Sequence, residues 1–91
     1  MAEITHTNSF VVEATWDDGV EVWVSESDSV PGLIAQAESR PQLIEKLALL
    51  IPELLELNNC PTNPDQPLDI TLRFHCAAEH REERIRLPKA A

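Results

Sequence analysis

From Phe10 the chain alternates without a break. Phe10, Val12, Ala14 and Trp16 fall on one side and Val11, Glu13, Thr15 and Asp17 on the other, the two-residue period of a strand with one buried face. Val20 to Ser25 alternates again, and Asp17-Asp18-Gly19 between the two runs reads as a hairpin turn with Gly19 in the left-handed conformation. Loop length decides which faces coincide, because a one-residue change of register turns every side chain over. A three-residue loop ending in a bulge at Gly19 pairs Trp16 with Val20, Ala14 with Val22 and Val12 with Val24, giving one apolar face. A two-residue loop sets Glu21 opposite Trp16. The three-residue loop is the expected one, and it sends Trp23 and Val11 to the far face of the sheet.

Ser39-Arg40-Pro41-Gln42 has the form of a capping box, with Ser39 as N-cap and a proline tolerated in the first turn. The helix it opens should run from about Arg40 to Leu57. Leu43, Ile44, Leu47, Leu50, Ile51, Leu54 and Leu55 form its apolar stripe, with Leu49 on the polar side. Pro52 lies inside this run, where it removes one helical hydrogen bond at a cost of about 3 kcal/mol if uncompensated, so a bend is expected there. The Pro- and Asn-rich segment 58–67 ends the helix. Leu68, Ile70, Leu72, Phe74 and Cys76 then alternate with Asp69, Thr71, Arg73 and His75, a strand whose length favours a central place. From Glu79 the pattern becomes charged. It reads as an extension of that strand in preference to a short fifth strand returning as a hairpin. The expected organisation is one α+β domain over residues 9–87, its helix packed on a mostly antiparallel sheet, between disordered tails at 1–8 and 88–91.

Ninety-one residues allow one small core and no enclosed cavity with its own lid, so function is expected on a surface. No apolar run approaches the ~20 residues of a membrane span, and the N-terminus lacks the basic and apolar regions of a signal peptide. A cytoplasmic protein is expected. The net charge of −9 argues against direct binding of nucleic acid, which needs clustered Lys and Arg. Residues 1–69 carry 13 acids and two bases, whereas residues 70–91 carry three acids and five bases. The acidity therefore belongs to the first strands and the helix, where it either steers a basic partner or simply solubilises the surface.

Catalytic, cofactor and metal sites are all expected to be absent. Cys60 and Cys76 read as separate free thiols, and His6, His75 and His80 lack the close spacing of a ligand set. Alternation puts His75 on the opposite face from Cys76. Asp17, Asp18, Glu26 and Asp28 are the acids that invite comparison with a nuclease. The first two belong to a hairpin turn, and nothing gathers three carboxylates into one cluster.

Val22 to Leu33, reading Val-Trp-Val-Ser-Glu-Ser-Asp-Ser-Val-Pro-Gly-Leu and followed by an amphipathic helix, resembles the signature of HicB-like antitoxin domains. The carriers are Trp23, Asp28 and Pro31-Gly32. The likeness spans roughly residues 9–87 and is greatest to a small branch known only as a domain of unknown function, whose helix also carries Ile51-Pro52-Glu53-Leu54-Leu55-Glu56. The resemblance implies a shortened ribonuclease H-like fold, a third strand at Leu33 to Ala37, a helix continuing through Pro52, and structural roles for Glu26 and Asp28. It also implies a function by binding. The helix-free face, with Val11, Trp23 and Thr71, and the acidic surface from Glu21 through Glu26 to Asp28 are the expected partner-binding residues. Two classes stay open: an antitoxin-type partner of a small basic ribonuclease toxin, or an orphan homo-oligomeric accessory module, a dimer in the first instance. Residues 1–91 show no segment of the helix-turn-helix or ribbon-helix-helix type, so autoregulation by DNA binding is not expected.

Overall fold

The computed structural model describes residues 8–59, 66–77 and 79–87. Six elements follow one another: β1 (Ser9–Asp17), β2 (Val22–Glu26), β3 (Ile34–Ala37), α1 (Arg40–Leu57), β4 (Leu68–Cys76) and β5 (Glu79–Leu87). They build one mixed five-stranded sheet in the order β3-β2-β1-β4-β5. β1 and β4 run parallel at its centre, and the other three pairings are antiparallel. The expected α+β domain with a single helix on a mostly antiparallel sheet is what forms, and β4 is flanked on both sides.

The helix lies against one face. Leu43, Leu47, Ile51 and Leu55 are buried at four-residue intervals, and each such side chain contributes about 1.5–3 kcal/mol by leaving water. They meet Phe10, Val12 and Ala14 of β1 and Leu68, Ile70, Leu72 and Phe74 of β4 in one core. The Ser39 hydroxyl accepts from the Gln42 N–H at 3.3 Å, the cap expected there, and the helix continues through Pro52. Leu49 stays exposed on its outer side. At the other end Asn59 takes a positive φ of 52° and its N–H bonds to the Glu56 carbonyl, a left-handed residue just beyond the helix. The Asn58 amide donates to the Pro31 carbonyl at 2.9 Å and ties the helix end to the turn before β3. That turn is closed by Leu33 N–H to Val30 carbonyl, with Pro31 second and Gly32 third at φ 82°, the requirement of a type II turn.

Two expectations are corrected. The β1–β2 hairpin has a four-residue loop, pairing Asp17 with Val22, Trp16 with Trp23 and Ala14 with Ser25. The left-handed residue is Glu21, at φ 54°, and not Gly19. Gly19 instead donates its N–H to the Asp17 carboxylate at 2.9 Å, and Asp18 accepts from the Trp16 indole at 2.7 Å. The shift against the expected register is odd, so β2 is turned over. Trp23 lies on the helix side, its ring 5.3 Å from that of Trp16 and 5.1 Å from that of Phe74, and Val22 and Val24 face away. The second correction is β5. The charged segment is a nine-residue strand antiparallel to β4, not an extension of it. Of the expected tails at 1–8 and 88–91, residues 1–7 and 88–91 lie outside the described residues, as does Cys60. Asn8 is buried, with its amide donating to the Gln66 carbonyl at 2.9 Å.

Candidate functional site

The face of the sheet without a helix is the candidate site, and the strand registers lay it out in rows. One row runs Ile34, Glu26, Glu13, Arg73 and Glu82 from β3 to β5. The next runs Gln36, Val24, Thr15, His75 and His80. On the other side of the first row lie Val11, Thr71 and Arg84. The surface therefore changes character across the sheet. Val22, Val24 and Ile34 make an apolar patch on β2 and β3, Glu13 and Glu26 an acidic pair in the middle, and Arg73, His75, His80 and Glu82 a charged and imidazole-bearing half on β4 and β5.

Glu13 and Glu26 are direct cross-strand partners, an arrangement of like charges that is unfavourable by itself. The strand on the other side offsets it. Arg73 lies 3.8 Å from Glu13 and 3.4 Å from Glu82, and His75 Nε2 is 3.2 Å from the same Glu13 oxygen. The second Glu13 oxygen, Oε2, is buried and has no hydrogen-bond partner among the described residues. His75 Nδ1 in turn meets His80 Nδ1 at 2.8 Å across the β4–β5 ladder.

Below the acidic pair the chain leaves β2 at Glu26 while β1 continues back to Ser9. Val11, two positions before the paired Glu13, turns its N–H and C=O to the side that β2 has vacated. Serines take those groups. The Val11 N–H donates to Ser29 Oγ at 2.9 Å, and its carbonyl accepts from the hydroxyls of Ser27 and Ser29. Ser27 Oγ also accepts from the Val30 N–H at 3.1 Å. The Ser-Asp-Ser turn is thus a side-chain continuation of the ladder, and it holds Asp28 at the rim of a depression lined by Ser9, Val11, Glu13, Ser29 and Arg73.

Of the residues expected to bind a partner, Val11 and Thr71 are neighbours on this face, Glu26 lies in its middle row and Asp28 at its edge. Glu21 belongs to the hairpin loop at the opposite end of β2. Trp23 is on the helix side, where Ala37, its partner on β3, leaves room for the indole. Sequence reasoning misses Val22, Val24 and Ile34, which come to the face through the β2 register, and the contact between His75 and His80, which exists only because β5 returns. His75 does lie on the face opposite Cys76, which is a half-buried free thiol. No helix among the described residues is long and apolar enough to cross a membrane.

An acidic α+β domain with one helix on a five-stranded mixed sheet, one face of which no helix covers among the described residues, is the class these features define. The chain belongs to the family described as a domain of unknown function (DUF1902), whose model matches residues 9–86. It is similar to the crystal structure of hypothetical protein TTHA1013 from the extremely thermophilic bacterium Thermus thermophilus, at 39% identity and a TM-score of 0.63, over 78% of this chain and 94% of that one. No curated protein matches it.

Proposed function

We propose that this protein is a non-catalytic binding module that seats a basic protein on the β2–β3 half of its open face. The observation that carries the reading is the patch of Val22, Val24 and Ile34, with Ile34 78% exposed, lying beside the Glu13–Glu26 pair and Asp28. An exposed Ile34 beside the half-buried Val22 and Val24, next to acids, suits a partner that brings its own apolar contacts and Lys or Arg. The net charge of −9 favours such a partner over a second copy of the same chain. The resemblance to HicB-like antitoxin domains supports the same reading, with a small basic ribonuclease toxin as the partner. Self-association as an accessory module is the competing outcome.

The absence of catalysis is part of the proposal and rests on spacing. Asp17 and Asp18 sit at the hairpin end of β2 and Glu26 at its other end. Val22, the partner of Asp17, is four residues from Glu26, so about 13 Å of strand separates the two groups of acids, too far to share one ion or one scissile bond. Asp28 lies beyond Glu26 in the serine-braced turn.

The test is co-expression with the product of the adjacent reading frame, where that product is basic. Affinity is then measured for the wild type and for the double substitution Val24→Asp with Ile34→Asp. Binding that the substitution abolishes, and whose association rate falls as salt rises, is the expected result. An unchanged affinity in the folded variant, sedimentation of the chain alone as a tight dimer, or tight binding of nucleic acid at physiological salt would overturn the reading.

A further inference from the structure

We infer that His75 and His80 form a binding site for one divalent transition-metal ion of the zinc, nickel and copper class. The two residues are direct partners on antiparallel strands, and both project from the open face. Their rings stand 5.0 Å apart with 66° between planes, and the Nδ1 atoms face each other at 2.8 Å. Imidazole nitrogens convergent on one point are the commonest donors to this class of ion.

Hydrogen-bond accounting specifies which nitrogens are bare. Glu13 Oε1 lies 3.2 Å from His75 Nε2 and, as a carboxylate, it only accepts. In its neutral form His75 therefore carries its proton on Nε2, which leaves Nδ1 as a lone pair aimed across the ladder. In the empty site His80 must supply Nδ1–H to that lone pair. Moving the His80 proton to its exposed Nε2 bares both Nδ1 atoms toward one point, a state that needs a cation between them and releases no proton overall. A tetrahedral ion with metal–nitrogen bonds of about 2.0–2.1 Å places its donors about 3.3 Å apart, so the rings need to separate by roughly half an ångström. His80 is exposed and supplies the movement, while His75, 33% exposed, stays on Glu13.

Glu13 then stands where a metal-bound histidine ordinarily finds its second partner, a carboxylate on the remote ring nitrogen that fixes the tautomer and raises ligand basicity. Arg73, 3.8 Å from Glu13, in turn holds that carboxylate. Two coordination positions are left to water or to a group from a bound molecule. The site does not depend on whether the face takes a protein partner, and it can be tested without one.

The experiment is calorimetric titration of the tag-free full chain with zinc and nickel salts, and electron paramagnetic resonance of the copper-loaded form. The expected result is one saturable site with imidazole nitrogen coupling. The substitutions His75→Gln and His80→Gln should each weaken it by at least about tenfold, while His6→Gln, which alters the remaining histidine of the chain, leaves it intact. Far-UV circular dichroism confirms that the variants fold. Absence of saturable binding in the wild type, binding that survives in the His75→Gln/His80→Gln double variant, or loss through His6→Gln alone would overturn the assignment.

Discussion

The two faces of this sheet are made by the same strands and differ in almost everything else. On the helix side Phe10, Val12 and Ala14 alternate in β1 with Val11, Glu13 and Thr15 on the open side. The first set is buried, while Val11 retains 37% of its surface. Stability is concentrated on one side, where leucines and isoleucines of α1 close over apolar strand residues. The open side is held by ion pairs such as Arg73–Glu82, each worth about 0–1 kcal/mol at an exposed position. A face with little share in stability is free to carry recognition, and here the free face holds an apolar patch, paired acids and convergent imidazoles.

If the division is real, substitutions on the two sides must differ in kind. The largest effect is expected at Leu47, which is 1% exposed beneath the centre of α1. Leu47→Ala should lower stability by about 2–5 kcal/mol, through lost burial and the cavity left behind, as a shift of the urea midpoint. Trp23→Ala is expected next, at about 2–3 kcal/mol. The indole is half-buried against Phe74 and Trp16, which places it below the range of a fully buried aromatic. Its near-ultraviolet dichroism should collapse with it. A Trp23 variant of native stability would return the residue to the open face and undo the observed β2 register.

A smaller loss tests the joint between the faces. Ser27→Ala with Ser29→Ala removes the hydroxyls that satisfy the Val11 N–H and C=O, and the acceptor for the Val30 N–H. Water can reach part of this region, so the cost should be about 1–2 kcal/mol. Amide exchange at Val11 and Val30 should accelerate while that of Val12 is retained. Uniform acceleration across β1 would show that the turn is not a local brace.

How far the chain declares this arrangement depends on how local the signals are. The helix is legible because its cap, stripe and stop all lie close together along the chain, and β4 because its alternation is unbroken from Leu68 to Cys76. The β1–β2 register is not. Asp17-Asp18-Gly19 marks a turn, but whether Gly19 or Glu21 takes the left-handed conformation is decided by what the strands bury, and Trp23 against Phe74 outweighs an ideal glycine bulge. β5 escapes sequence reading because the two residues between Cys76 and Glu79 are alanines, without the Gly, Asn, Asp or Pro that mark a turn, and because its own residues are charged. As an edge strand it needs charge to discourage further pairing. The opposite edge is guarded in the same way, by Lys46 Nζ donating to the Gln36 carbonyl at 2.6 Å. Only part of the candidate site is legible for the same reason: alternation places Val11 and Thr71 on the open face, whereas Ile34, Val24 and the His75–His80 contact are products of pairing and not of spacing along the chain.

The smallest expected effect is the most discriminating. Leu49 and Ile34 are large aliphatic side chains of nearly equal exposure, 76% and 78%, one on the outer side of α1 and the other on β3 at the apolar patch. Neither fills the core, so Leu49→Lys and Ile34→Lys should each change stability by no more than about 0.5 kcal/mol. If recognition belongs to the open face, only the β3 substitution should disturb it. Ile34→Lys places a cation beside the apolar patch and repels a basic partner, which should lower both the association rate and the lifetime of the complex. Leu49→Lys should leave both unchanged. Equal losses of binding from the two substitutions would mean that the partner spans the edge of the sheet and the outer side of the helix, through the groove that Val22, Gln36, Lys46 and Leu49 line, and the separation of roles between the faces would fail.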